Sequence, residues 1–182
     1  LVSHKIANLT VEFNWARNRL FDQPCVEALL MLCRVDGQAK ITNVVQKPKN
    51  KWRPQPMDTI ELEKIGSRKL KLSAKRIMTI AEKLYTQGFI SYPRTETNQF
   101  SKEMNLRSLV EMQVPHRDWG DFAERVLEWG PNPRNGNKSD QAHPPIHPTK
   151  FTSTLHDVDE KRVYELVVRH FLACVSKDAV GS

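Results

Sequence analysis

The sequence predicts an α+β fold, a small β-rich segment followed by a mainly helical unit. Three observations lead there. Val11 to Trp15 alternates apolar and polar side chains, and Ile41 to Val45 carries a short run of β-branched residues, so both read as strands. From Asp58 onward apolar residues recur at three- and four-residue intervals, the spacing of an amphipathic helix. Between the two patterns lies Lys47 to Pro56, with three prolines, a basic run and Trp52, which reads as an extended connector. It sets the expected boundary, residues 1–57 before and 58–178 after.

Between the two strands one helix is expected, with Pro24 in its first turn and Val26, Leu29, Leu30 and Cys33 on one face. Cys25 and Cys33 on it read as core residues. After the connector, Asp58 caps a short helix ending near Gly66. Ser73 caps a longer one, in which Ile77, Ile80, Ala81 and Leu84 form a stripe and Gly88 is the stop. Phe89 to Tyr92 is then a short strand or an extended exit. Further helices are expected at 104–113, 119–129 and 158–176, the last with Val163, Leu166, Val167, Phe171 and Cys174 on one face. Residues 130–150 hold seven prolines or glycines and almost no apolar run, so they form a long loop of the kind that often carries function.

Composition narrows the partners. Lysine and arginine outnumber aspartate and glutamate by 28 to 21, and the isoelectric point is about 9.4, which points to an acidic partner such as a nucleic acid. The three cysteines, Cys25, Cys33 and Cys174, are odd in number and lack ligand spacing, so neither a disulfide framework nor a zinc site is expected. No stretch reaches the roughly 20 apolar residues of a membrane-spanning helix. The chain opens at Leu1 without an initiator methionine and reads as a piece of a larger polypeptide.

The chemistry concentrates in Gly88-Phe-Ile-Ser-Tyr-Pro-Arg-Thr-Glu-Thr-Asn98. In extended chain, residues i and i+2 point to the same side, so Tyr92 and Arg94 can face one anionic group. Pro93 fixes its own φ and biases Tyr92 toward extended geometry. A phenol titrates near 10, so a tyrosine that attacks a phosphodiester needs positive charge and donors where negative charge builds up. The guanidinium of Arg94 offers a fork of donors to two phosphate oxygens. Thr97 and Asn98 read equally as turn-formers and as DNA contacts. Lys51, Trp52 and Arg53 combine charge with a stacking surface, as single-strand binders do, or form a solvated edge. His143 and His147 are four apart, but Pro144, Pro145 and Pro148 exclude the helix that would make them a metal pair. Lys138, Ser139, His147 and Thr149 read either as solvated surface or as contacts to neighbouring phosphates. No intact P-loop is present, because Asn137 separates Gly136 from Lys138.

The stretch Leu84-Tyr-Thr-Gln-Gly-Phe-Ile-Ser-Tyr-Pro-Arg-Thr-Glu-Thr-Asn98 resembles the active-site segment of type IA DNA topoisomerases, and within them the eukaryotic topoisomerase III branch. Lys51-Trp-Arg-Pro-Gln-Pro-Met-Asp-Thr59 and Pro133-Arg-Asn-Gly-Asn-Lys-Ser-Asp-Gln-Ala-His-Pro-Pro-Ile-His-Pro-Thr149 resemble the same family, the latter nearer its alpha group. The resemblance implies part of a β-rich arch over 1–57 and a helical tyrosine domain over 58–178, related to catabolite-activator-type winged-helix modules. It implies that Tyr92 is the nucleophile of a 5′-phosphotyrosyl intermediate, with Arg94 and His143 beside the scissile phosphate. It also implies single-stranded DNA as substrate, a RecQ-type helicase and an OB-fold accessory protein as partners, and work in repair and recombination in the nucleus, possible also in mitochondria.

Magnesium in this family is held by an acidic Toprim domain with an Asp-x-Asp-x-Glu motif. Asp157-Val-Asp159-Glu160 only mimics that motif and is better explained by the helix dipole. No metal is therefore expected on these residues, and the piece alone is not expected to relax DNA. A noncatalytic winged-helix or helix-turn-helix module, reading duplex DNA with a structural Tyr92, is the alternative.

Overall fold

The alternating residues near the start of the chain close an antiparallel hairpin, β1 (Val2–Ile6) with β2 (Leu9–Phe13), Val2 opposite Phe13 and Ile6 opposite Leu9. The expected strand is thus present but ends two residues early. Trp15 lies beyond it, with the Arg17 guanidinium 5.9 Å from its ring centroid. These observations come from a computed structural model that describes residues 2–6 and 8–181. By its internal contacts the chain forms two units, Leu1–Gln46 and Lys47–Ser182.

In the first unit, α1 (Gln23–Asp36) begins where the Asp22 side chain accepts the Cys25 N–H at 2.9 Å and ends on Gly37 at φ 61°. The expected apolar stripe exists, but no residue of this helix is buried. Cys25 and Cys33 are exposed, which corrects their expected place in a core: a hairpin and one helix supply no second layer to cover them. Ile41 to Val45 is irregular chain rather than a strand, with Ile41, Val44 and Val45 exposed. β-Branched residues favour a pleated surface only where a partner strand completes it.

In the second unit the connector is more ordered than expected. β3 (Lys49–Lys51) pairs antiparallel with β4 (Ala179–Gly181), Lys49 opposite Gly181 and Lys51 opposite Ala179. Asp58 caps α2 (Thr59–Leu70) through the Glu61 N–H at 2.8 Å. This helix runs one turn past Gly66, where a stop was expected. A Cβ on Gly66 would stand 2.7 Å from Cδ1 of Ile77, so this glycine serves close helix packing rather than termination. Ser73 caps α3 (Ala74–Thr86), whose Ile77, Ile80, Ala81 and Leu84 are all buried, as the periodicity predicts.

The end of α3 is a Schellman motif, with Phe89 N–H bonded to the Leu84 carbonyl and Gly88 N–H to that of Tyr85. Gly88 sits at φ 77°, a conformation that costs it nothing, and redirects the chain into the extended Phe89–Tyr92 exit. The remaining helices are α4 (Leu106–Glu111), α5 (Gly120–Trp129) and α6 (Val158–Val175), each within the expected limits. Asp157 caps α6 by accepting the Glu160 N–H at 2.9 Å.

Helix α6 is the centre of this unit. Its Val163, Val167, Phe171 and Cys174 are buried against α2, α3 and α5. Burial pushes the Cys174 thiol up to about 12, so it stays a neutral core side chain. The 130–150 loop is stitched to its neighbours by backbone bonds: Asn132 to Val175, Gly136 to Asn98, Ile146 to Met57, and Ser91 to His147. Short isolated bridges join Met57 to Ile146 and Ile90 to Pro148.

Candidate active site

Tyr92 is half-buried, and two rings meet it. The Tyr85 ring, from the last turn of α3, stands edge-on with centroids 5.2 Å apart. The His143 ring, from the long loop, lies 4.8 Å away at a tilt of 37°. Two segments about fifty positions apart in sequence thus place an imidazole beside a phenol. The backbone explains why. Ser91 N–H donates to the His147 carbonyl at 2.9 Å, and Ser91 Oγ donates to the Pro145 carbonyl at 3.1 Å and accepts the His147 N–H at 3.0 Å. The extended Tyr92 segment is clamped to the His143 loop one residue before Tyr92.

Arg94 is exposed and its fork is occupied. Its Nε and a terminal nitrogen reach Glu82 Oε1 at 2.7 and 2.6 Å. Glu82 and Tyr85 are three apart on α3 and so share a face, which means that Tyr92 and Arg94 both lie against that one side of the helix. Thr59, first residue of α2, holds the chain between and after them. Its Oγ1 accepts the Thr95 N–H at 2.8 Å and lies 2.8 Å from the Pro93 carbonyl.

Asp140 joins the two halves. Its Oδ1 accepts from the backbone N–H of Ala142 (3.0 Å) and His143 (2.8 Å) and from the Thr97 hydroxyl (3.0 Å). Its Oδ2 accepts from the Thr95 hydroxyl at 3.2 Å and faces Nδ1 of His143 at 3.4 Å. The His143 and Ala142 N–H groups, with the Thr97 hydroxyl, hold this carboxyl well below the usual carboxylate range, so it is an anion.

The other expected contacts separate into two groups. Thr97 and Asn98, expected as DNA contacts or turn-formers, are buried with their polar groups engaged: Thr97 with Asp140, and Asn98 with Lys138 N–H (2.9 Å) and Gln55 (3.3 Å). Asn98 also fills the space beside Gly136, where a Cβ would meet it at 2.3 Å. Arg53 is likewise turned inward onto Asp178, whose Oδ1 accepts its backbone N–H at 2.9 Å and lies 3.5 Å from its guanidinium. Lys51, Lys138 and Ser139 are exposed. Trp52 is exposed too, with the Arg134 guanidinium 5.0 Å from its ring centroid. An open cavity of about 480 Å³ runs past Gln55, Lys64, Asn98, Arg134 and Lys138. His147 is buried, its Nδ1 2.7 Å from the Pro145 carbonyl, and its burial lowers its pKa. It packs inside the loop.

Among the described residues no group of three or more histidine, cysteine, aspartate or glutamate side chains is arranged to hold a metal ion. The sequence reading missed Glu82, Tyr85, Thr59 and Asp140. Only Asp140 left a local signal, an aspartate two and three residues before the N–H groups it accepts, the pattern of an Asx-type turn.

The family model for DNA topoisomerase matches residues 2–182. The chain belongs to that family. It is 73% identical to DNA topoisomerase 3-alpha of Drosophila melanogaster over 183 aligned residues, covering 100% of this chain and 15% of that protein. It is 60% identical to DNA topoisomerase 3-alpha of Homo sapiens, covering 99% of the chain and 18% of that protein, and 57% identical to DNA topoisomerase 3 of Caenorhabditis elegans, covering 100% and 24%. These relatives set it in the eukaryotic topoisomerase III group of type IA enzymes, and it spans less than a quarter of their length. The full-length topoisomerase I of Thermotoga maritima shares the fold at a TM-score of 0.58 and 24% identity, over 98% of this chain and 29% of that one. This topoisomerase segment is accordingly a mixed α/β structure with six helices and two small sheets among its described residues.

Proposed function

We propose that this segment carries the strand-cutting residue of a type IA DNA topoisomerase. The observation that carries the reading is the Tyr92 ring against the His143 ring, with Arg94 along the same side of α3. Tyr92 Oη attacks a phosphorus of single-stranded DNA, the P–O3′ bond breaks, and a 5′-phosphotyrosyl ester forms. The phenol proton leaves through His143 and ends on the departing 3′ oxygen, a transfer that positioned imidazoles perform well. Arg94, once a phosphate displaces Glu82, sets two donors on the non-bridging oxygens. Resealing reverses these steps after another strand has passed through the gap.

Magnesium, by family resemblance, supplies charge neutralisation at the cleavage site. The described residues offer no cluster that fits it; the steps above concern only the side chains of this chain. Residues 47–181 take the part of the helical, catabolite-activator-like tyrosine domain, and the hairpin and α1 that of the arch. Lys51, Trp52, Arg134, Lys138 and Ser139 form the outer DNA path, with Trp52 as a stacking face. The RecQ-type helicase, the OB-fold partner and the nuclear setting follow from the family alone, as does the expectation that the segment by itself does not relax DNA.

The test is the covalent adduct. Tyr92→Phe in the full-length enzyme is expected to abolish the protein–DNA band from labelled single-stranded DNA on denaturing gels. A band of undiminished intensity refutes the assignment.

A further inference from the structure

We propose that Asp140 is a positioning residue for the cleavage reaction, fixing His143 as the Nδ1–H tautomer so that Nε2 is left as the ring's proton acceptor. The inference rests on the reading of His143 given above. An ionised carboxylate only accepts hydrogen bonds, so the contact between Asp140 Oδ2 and His143 Nδ1 is favourable only when Nδ1 carries hydrogen. A neutral imidazole holds one hydrogen, and placing it on Nδ1 frees Nε2. The two carboxylate oxygens divide the work. Oδ1 holds the loop through the N–H groups of Ala142 and His143 and the Thr97 hydroxyl. Oδ2 meets the imidazole and the Thr95 hydroxyl. Thr95 and Thr97 alternate with exposed residues in the extended segment that follows Tyr92, so one side chain registers both strands of the site against each other.

That division makes the idea separable from a merely structural role. In Asp140→Asn the amide oxygen can keep all three Oδ1 contacts, whereas its NH2 group replaces Oδ2 by a donor. The Thr95 hydroxyl can rotate to accept. His143 Nδ1 must then accept as well, and the hydrogen moves to Nε2.

The experiment pairs ¹⁵N NMR of the His143 ring in this chain with adduct formation by the full-length enzyme. For D140N the Ala142 and His143 amide signals are expected to stay, the ring nitrogens to exchange their signatures, and the adduct rate to fall about 100-fold, the lower range for a general acid–base group. Binding of single-stranded DNA is expected to hold within about two-fold. A D140N protein with an unchanged tautomer, or with an inverted tautomer and a full adduct rate, overturns the proposal. Thr97→Val loosens the same loop without a donor toward the imidazole; if its loss of rate equals that of D140N, loop position alone explains the effect and the proposal falls. His143→Gln separates the two readings. If it impairs cleavage while D140N does not, only the role of Asp140 is lost, whereas an undiminished H143Q adduct removes the histidine assignment as well.

Discussion

Replacing Ser91 by alanine tests the clamp between the Tyr92 segment and the loop that carries His143. The serine is 7% exposed, and its hydroxyl makes two bonds, one given to the Pro145 carbonyl and one taken from the His147 N–H. Alanine removes both and leaves only the Ser91-to-His147 backbone bond. Losing a typical hydrogen bond costs about 1 kcal/mol, and stranding a buried N–H adds about 1–3 kcal/mol, so a total near 2–4 kcal/mol is expected. The Pro145 carbonyl keeps the His147 Nδ1 contact at 2.7 Å, so it adds no further term. For a chain of this length each kcal/mol lowers the melting temperature by roughly 2–4 °C, giving a fall of about 4–16 °C. Urea denaturation followed by circular dichroism checks it, with the midpoint lowered and the m-value unchanged. A destabilisation below about 1 kcal/mol would mean that water or a loop shift satisfies His147, and the clamp would not be what registers the loop.

Two further outcomes follow from charge. Glu82→Gln frees the Arg94 fork from an exposed ion pair whose strength is about 0–1 kcal/mol, so affinity for single-stranded DNA, read by fluorescence anisotropy, is expected to hold or to rise by up to about five-fold; weaker binding would place Arg94 outside the DNA path. His147 and His170 are both buried and hydrogen-bonded as neutral rings to carbonyls, and desolvation lowers the pKa of each. The unfolded chain therefore binds more protons, and stability is expected to be full above the unfolded value of about 6.5 and to fall as pH drops through the lowered folded values. Melting temperatures between pH 7.5 and 5 check the sign; a rise on acidification would contradict it.

The helices were legible because their signals are local. Asp58, Ser73 and Asp157 cap in place, and the stripe from Ile77 to Leu84 is buried as its spacing requires. Strands were less so, because pairing is settled by partners elsewhere in the chain. Ile41 to Val45 has the composition of a strand without a neighbour, while Lys49 to Lys51 has the wrong composition and acquires one at Ala179 to Gly181. Within the site, Tyr92 and His143 carried a motif, and the structure brings their rings together. Glu82 was invisible because a glutamate on an exposed helical face looks like any other until the arginine it meets is known. Thr97 and Asn98 look identical in sequence whether they bind DNA or a neighbouring loop; the structure shows the second, in their burial and their bonds to Asp140, Lys138 and Gln55.

The ion pair of Arg94 has a consequence for thermodynamics as well as geometry. An ordinary surface cation, on meeting DNA, lets go of nothing, and the salt dependence of binding comes from cations that the phosphates shed. Arg94 instead comes with a tethered anion, so a phosphate that takes its fork exchanges places with Glu82 and leaves a free carboxylate close to the backbone. That carboxylate offsets part of the charge that the guanidinium brings to the phosphate. If Arg94 meets the scissile phosphate as proposed, it would then add less than one unit to the salt slope, and occupancy at that position would depend less on ionic strength than occupancy along the outer lysines.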